Sequence, residues 1–229
     1  MSTLLLRLAA PMQSWGVEAK FDRRTTERAP TKSGVTGLAA AALGRRRNES
    51  VDDLSALRFG VRIDREGVLL RDYHTAKSLR SAYVTNRYYL SDAVFLAGLE
   101  GEEALLRKID AALRRPAFPL FLGRRSCPPV GKVSLGIREG LALEEALARE
   151  PMLAPPERMQ PGRTARLRII AETADQEKKT YFIRDVPVSY DQEHRRFGFR
   201  RACEYTVPRP QPEAPERPTE HDPMAELEG

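Results

Sequence analysis

The sequence predicts an α+β fold in which strand, helix, strand, excursion, strand, helix and strand follow one another over the first 138 of its 229 residues. Three observations carry this. Strand-like apolar runs give way twice to stripes of helical period, Gly44, Gly67 and Pro116 stand at the changes, and one basic, aromatic segment interrupts the pattern.

Residues 3–8 read as a short buried strand. The loop behind it holds Pro11-Met12-Gln13-Ser14-Trp15-Gly16, Arg23-Arg24-Thr25 and Pro30-Thr31-Lys32-Ser33-Gly34. At roughly twenty residues it is far longer than the usual strand-to-helix connection, which marks it as a working surface or as chain ordered by a partner. Val35, Leu38, Ala39, Ala42 and Leu43 then form one apolar stripe on a helix that Thr31 or Ser33 can cap and Gly44 ends, ahead of Arg45-Arg46-Arg47. Ser50 with Asp53 opens a short helical turn. Phe59, Val61 and Ile63 alternate as a half-buried strand, and Arg65-Glu66-Gly67 turns it into a second strand over 68–73. Residues 74–91 read as an irregular excursion from the sheet, containing His74, Lys77, Arg80, Tyr83, Arg87, Tyr88 and Tyr89. A strand over 93–99 follows, then a helix over 102–115 with Leu105, Ile109, Ala112 and Leu113 inward, and strand candidates at 120–122 and 133–137. This order is the ferredoxin-like, RRM-like βαββαβ pattern used by RNA-recognition modules. Behind it, residues 139–207 read as a smaller β-rich region: a small helix at 143–149, a Pro-rich linker near 151–161, and strands at 166–172, 179–186 and 197–207. Residues 208–229 carry six prolines among acidic residues and read as a disordered tail.

A hydrophobic content of 41% is ordinary for a chain with a real core. The formal charge is +6 although the tail contributes −4, so the body is strongly basic. Arginine dominates, and its planar fork binds phosphate bidentately and stacks on bases, which favours nucleic acid as the partner over a membrane surface. No stretch approaches the roughly 18 apolar residues of a bilayer span and no signal peptide is legible, so a cytoplasmic protein is expected. Cys127 and Cys203 show no CxxC spacing and His74, His194 and His221 are scattered. No metal site, disulfide framework or cofactor is expected.

Thr31-Lys32-Ser33 lacks the upstream glycine of a P-loop. What remains is a helix N-terminus that is either an ordinary cap or the seat of one backbone phosphate. Trp15 is either an anchor that closes the loop or a platform for a splayed base, with the anchor favoured. Arg23 and Arg24 have no packing reason to lie side by side in a loop. Tyr73, His74 and Lys77 form the only cluster with acid–base potential, and they suit RNA contact as well as metal-independent RNA cleavage. Leu122-Gly123-Arg124-Arg125-Ser126-Cys127-Pro128-Pro129 turns at its glycine and presents two arginines. Arg195-Arg196 and Arg200-Arg201 interleave with Phe197 and Phe199 on one strand.

Read together, Leu6 through Gly16, Arg28-Ala29-Pro30-Thr31-Lys32-Ser33-Gly34 running to Gly37-Leu38, Arg71-Asp72-Tyr73-His74-Thr75, Tyr89-Leu90-Ser91-Asp92-Ala93 and Leu122 through Pro128 resemble the CasD family of the type I-E CRISPR interference complex, Cascade. The resemblance implies a repeat-associated (RAMP-type) subunit that grips the 5′ handle of the guide RNA and caps one end of the backbone filament. It implies a thumb at about 74–91, the backbone subunit CasC and the large subunit CasA as neighbours, and target DNA captured by the assembled complex. The expected RNA contacts are Gln13, Ser14, Arg23, Arg24, Lys32, Ser33, Tyr73, His74, Lys77, Arg87, Arg124 and Arg125, with no catalysis. The alternative is precursor cleavage by Tyr73, His74 and Lys77, as in related type I-C subunits.

Overall fold

The computed structural model of the chain describes residues 1–16, 19–20, 23–77, 82–154, 166–175 and 179–209. The expected linker from 155 onward and the expected tail from 210 onward lie outside the described residues.

The first strand, β1 (Ser2–Ala9), is followed by three two-residue strands, β2 (Met12–Gln13), β3 (Ala19–Lys20) and β4 (Arg23–Arg24). Helices α1 (Lys32–Ala42) and α2 (Asp52–Ser55) come next. Strands β5 (Arg58–Arg65), β6 (Val68–Lys77), β7 (Ala82–Ser91) and β8 (Val94–Gly101) lead into helix α3 (Glu103–Arg114). Then come β9 (Ser134–Arg138), α4 (Leu143–Arg149), β10 (Arg166–Glu172), β11 (Thr180–Ser189) and β12 (Arg196–Pro208). None of the helices is long and apolar enough to cross a membrane among the described residues.

Seven strands form one antiparallel sheet in the order β11-β12-β10-β5-β8-β1-β9. The period of two decides which layer each side chain joins. Leu4, Leu6 and Leu8 of β1 pack with Val35 and Leu38 of α1 and Leu106 and Ile109 of α3, whereas Leu5 faces the other way, onto Leu143 and Leu147 of α4. Each of these leucines is fully buried, which stabilises the fold by about 1.5–3 kcal/mol apiece before entropy is counted. The C-terminal strands, expected as a separate β-rich unit, extend this same sheet, because β10 pairs with β5 in the register Arg168↔Ile63 to Ala171↔Gly60.

The short helix α4 is held by charges from the sheet beneath it. Glu100 accepts a hydrogen bond from the Leu143 amide at 2.6 Å, at the helix start. At its end the Arg62 guanidinium donates to the carbonyls of Leu147 at 2.7 Å, Pro151 at 2.9 Å and Glu150. Arg62 is 0% exposed and pairs with Asp64 at 2.7 Å, which in turn accepts from the Leu153 amide.

Two sequence expectations are corrected. Residues 120–122 form no strand; Leu122 closes a turn by donating its amide to the Cys127 carbonyl at 2.7 Å. The segment expected to be irregular over 74–91 is half of a regular hairpin, in register from Val68↔Ser91 to Lys77↔Ala82. Val68, Leu69, Leu70, Tyr73, Tyr83 and Val84 are exposed on it, so both faces meet solvent and no apolar stripe marks it as a strand pair. The other edge of β7 carries β2 (Met12↔Ser91) and β4 (Arg24↔Arg87).

Asp64→Ala strands the Arg62 charge in the interior and should cost about 3–5 kcal/mol. Urea denaturation should show this as a lower midpoint with an unchanged m-value.

A candidate nucleic-acid interface

The long loop after β1 is closed by its tryptophan. Trp15 is 1% exposed, and its indole Nε1 donates to Gln13 Oε1 at 3.1 Å. The Gln13 amide donates in turn to the carbonyls of Ala93 at 2.8 Å and Leu8 at 3.3 Å. The ring lies so close to α1 that a Cβ at Gly34 would stand 2.7 Å from it. Backbone bonds then draw the far arm of the loop inward: Trp15 N donates to Thr26 Oγ1 and Glu27 N donates to the Trp15 carbonyl, both at 2.8 Å.

Gln13 and Ser14, expected to touch RNA, make their side-chain hydrogen bonds within the protein, and Ser14 also lines the cleft described below. Gln13 is 0% exposed with its amide used internally, and the buried Ser14 hydroxyl donates to the Tyr88 carbonyl at 3.1 Å. The turn at 122–127 presses on the same spot. Gly123 has φ +83°, and a side chain there would collide with the Ser14 carbonyl at 1.6 Å, so only glycine fits. Beside it the Arg124 guanidinium stacks on Tyr89 at 4.8 Å and donates to the carbonyls of Arg24 at 2.8 Å and Thr25 at 3.2 Å. Arg124 thus fastens the turn to β4, while its neighbour Arg125 stands exposed with no ion pair among the described residues.

Lys32 and Ser33, expected to touch RNA, are also engaged within the protein, and Ser33 lines the cleft described below. The N-terminus of α1 is capped by Thr31, whose Oγ1 accepts from Gly34 N at 3.2 Å, and it already faces an anion: Lys32 N donates to Asp185 Oδ2 at 2.8 Å. Asp185, 1% exposed, is gripped by both forks of Arg200 at 2.6 and 3.0 Å. The Lys32 ammonium pairs with Glu172 at 2.9 Å, and Arg200 lies over Phe59 at 5.1 Å. A carboxylate from β11 occupies the place where a phosphate was expected, and the cluster welds α1 to the C-terminal strands. The Tyr190 hydroxyl donates to the Ser33 carbonyl, and burial raises its pKa well above the ordinary phenol value.

On the hairpin, alternation separates the residues expected to act together. Tyr73 and Lys77 project from one face; His74, Asp72 and Arg87 belong to the opposite one. His74 Nε2 lies 2.9 Å from Asp72 Oδ2, and Tyr73, His74 and Lys77 are all exposed. Arg24 is exposed beside Arg87 in parallel register, while the side chain of Arg23 lies outside the described residues.

The fold instead assembles a cleft of about 620 Å3 between the start of α1, the loop after it, the 118–125 segment and the chain before β12. Arg45, Arg46, Arg47, Arg125 and Arg195 line it with Phe118, Phe121, Tyr190 and the edge of Trp15, and no carboxylate does among the described residues. Arg45 is tied down: it makes two 2.5 Å bonds to Asp53, whose carboxyl it holds below the usual range, and it also donates to the Ser50 carbonyl. Arg46, Arg47, Arg125 and Arg195 remain exposed and form no ion pair among the described residues. Of these, only Arg125 was among the expected RNA contacts. The triple arginine behind a helix-ending glycine was the available signal for Arg46 and Arg47, and the Arg195-Arg196 pair beside Phe197 was the signal for Arg195. Free guanidinium groups over aromatic edges suit a phosphate backbone whose bases can stack.

Residues 3–203 match the sequence profile of the family described as CRISPR-associated protein (Cas_Cas5). The chain is 37% identical over 170 residues to the CRISPR system Cascade subunit CasD of Escherichia coli (strain K12), covering 64% of this chain and 75% of that one. Among solved structures, a "Crystal structure of Cas protein" superposes with TM-score 0.73 at 42% identity, over 93% of this chain and 100% of the other. A chain from a "CRISPR RNA-guided surveillance complex" does so with TM-score 0.76 at 34% identity, over 91% of each.

Trp15 is the only tryptophan. Its emission should be blue-shifted and should resist acrylamide until the protein unfolds, and Trp15→Ala should lower stability by about 3–5 kcal/mol in urea titrations.

Proposed function

This chain belongs to the CRISPR-associated Cas5 family, and from that premise we propose that it is a non-catalytic, cytoplasmic subunit of a type I-E Cascade that grips the 5′ handle of the guide RNA. The observation that carries this reading is the arginine-lined cleft, carboxylate-free among the described residues. Arg46, Arg47, Arg125 and Arg195 can each neutralise a backbone phosphate, while Phe118, Phe121 and Tyr190 offer edges and faces to bases. The order β9-β1-β8-β5 with α1 and α3 on one face supports a ferredoxin-like core, and the β6–β7 hairpin supports the thumb. In this reading the protein caps the backbone filament beside CasC, contacts CasA, and meets target DNA through the assembled complex.

The alternative, metal-independent cleavage of precursor RNA, needs a base, an acid and a cation around one phosphodiester. Tyr73 and Lys77 leave the hairpin by the face opposite His74, which favours contact by these side chains over joint catalysis.

Affinity for RNA carrying the repeat-derived handle should fall with salt at a slope of about −0.7 per phosphate neutralised. Replacing Arg46, Arg47 and Arg125 with alanine should flatten that slope by about two units in filter-binding titrations, and an unchanged slope would remove the cleft from the site. Incubated with its repeat RNA in chelator, the wild-type protein should leave the RNA intact; specific cleavage lost in His74→Ala would establish the alternative.

A further inference from the structure

The far edge of the large sheet carries a second surface that the cleft does not explain. Helix α4 packs on β5, β8, β1 and β10, its cluster reaches Tyr205 and Val207 in the second half of β12, and among the described residues the same face of β11 and of the first half of β12 stays exposed. There Phe182 is 74% exposed and Phe199 67% exposed. Phe182 pairs in register with Arg201, whose Nε donates to Thr180 Oγ1 at 2.8 Å, and Phe199 lies two residues before Arg201 on the same strand, so all three share one face with the two phenylalanines as diagonal neighbours. Phe197 continues the row with the Arg195 guanidinium stacked on it at 5.0 Å. Arg184 and Arg196 stand exposed nearby without an ion pair among the described residues.

Phe182 and Phe199 bury little of their surface in this chain, and together with Phe197 they make an exposed aromatic row that suits a ligand. Aromatic rings standing on an open sheet face, interleaved with arginine, are the general platform on which single-stranded nucleic acid stacks its bases while guanidinium groups track its phosphates. A protein partner is less well served: the row offers no aliphatic anchor and no carboxylate, and Asp185, the nearest acid of β11, is buried against Arg200. We propose that Phe182 and Phe199 form a stacking platform for single-stranded nucleic acid, separate from the cleft and adjoining it at Arg195, which lines the cleft and stacks on Phe197.

The full-length protein would be titrated with labelled oligouridylate and oligothymidylate by fluorescence anisotropy. Phe182→Ala and Phe199→Ala should each weaken binding about tenfold or more, with the salt slope unchanged because no phosphate contact is lost. Phe182→Trp and Phe199→Trp should restore it. A preference for the ribose or the deoxyribose polymer identifies the natural strand, and either preference supports the platform. Arg46→Ala with Arg47→Ala, assayed in parallel, reports on the cleft alone: a flattened slope there with no effect of the phenylalanine changes upholds the cleft and overturns the platform. The proposal is also overturned if the alanine variants bind both polymers as wild type but fail to associate with a Cascade subunit, the mark of a protein-docking surface.

Discussion

The walls of the arginine cleft hang on the burial of one indole. Trp15 lies where the loop after β1, the first turn of α1 and the 122–127 turn converge, with Gly34 and Gly123 the two positions that let backbone come so close. An indole of this kind removes about 150–250 Å2 from water, on the order of 4–6 kcal/mol of gross driving force. Its one polar atom must still be satisfied, or about 1–3 kcal/mol is forfeited, and Gln13 does this while bonding through its amide to β1 and to Ala93, just ahead of β8. The loop's polar residues are thus spent on fixing the walls of the cleft, and the arginines that face into it come from other segments.

The basic charge of the chain is divided by burial into two populations. Arg62, Arg200 and Lys32 are enclosed with Asp64, Asp185 and Glu172, where removing either partner leaves an uncompensated charge in a medium that cannot solvate it. Those pairs hold α4 and α1 against the sheet. Arg46, Arg47, Arg125 and Arg195 keep their hydration and their freedom, so a polyanion can recruit them at little cost. The net charge alone could not separate the two groups; their surroundings do.

Where apolar periodicity was strong, the fold was legible from sequence: β1, α1 with its Thr31 cap, β5, β8 and α3 stand where the pattern placed them, and Trp15 is the anchor that was favoured. The β6–β7 hairpin was half missed because both of its faces meet solvent, so no alternation of apolar and polar residues announces the pairing over 74–91. The union of β10 with β5 rests on a register between residues more than a hundred positions apart, which no local signal reports. The site was harder to read. Gln13, Ser14, Lys32 and Ser33 have the chemistry of ligands but are engaged by tertiary partners, Ser33 by the Tyr190 hydroxyl on its carbonyl and Lys32 by Glu172 and Asp185, while Ser14 and Ser33 also line the cleft. Arg46 and Arg47 stand in the sequence only as a run behind Gly44, and it is the 118–125 segment and Arg195, distant in sequence, that build the cleft around them.

The central claim, that guide RNA runs through the arginine cleft, is tested most directly by ultraviolet crosslinking of the protein to its copurified RNA, followed by mass spectrometry of the crosslinked peptides. The cleft account predicts crosslinks in peptides spanning Arg45 to Arg47, Phe118 to Arg125 and Tyr190 to Arg195. A map confined to the hairpin of β6 and β7, with those three segments unmodified, would contradict it.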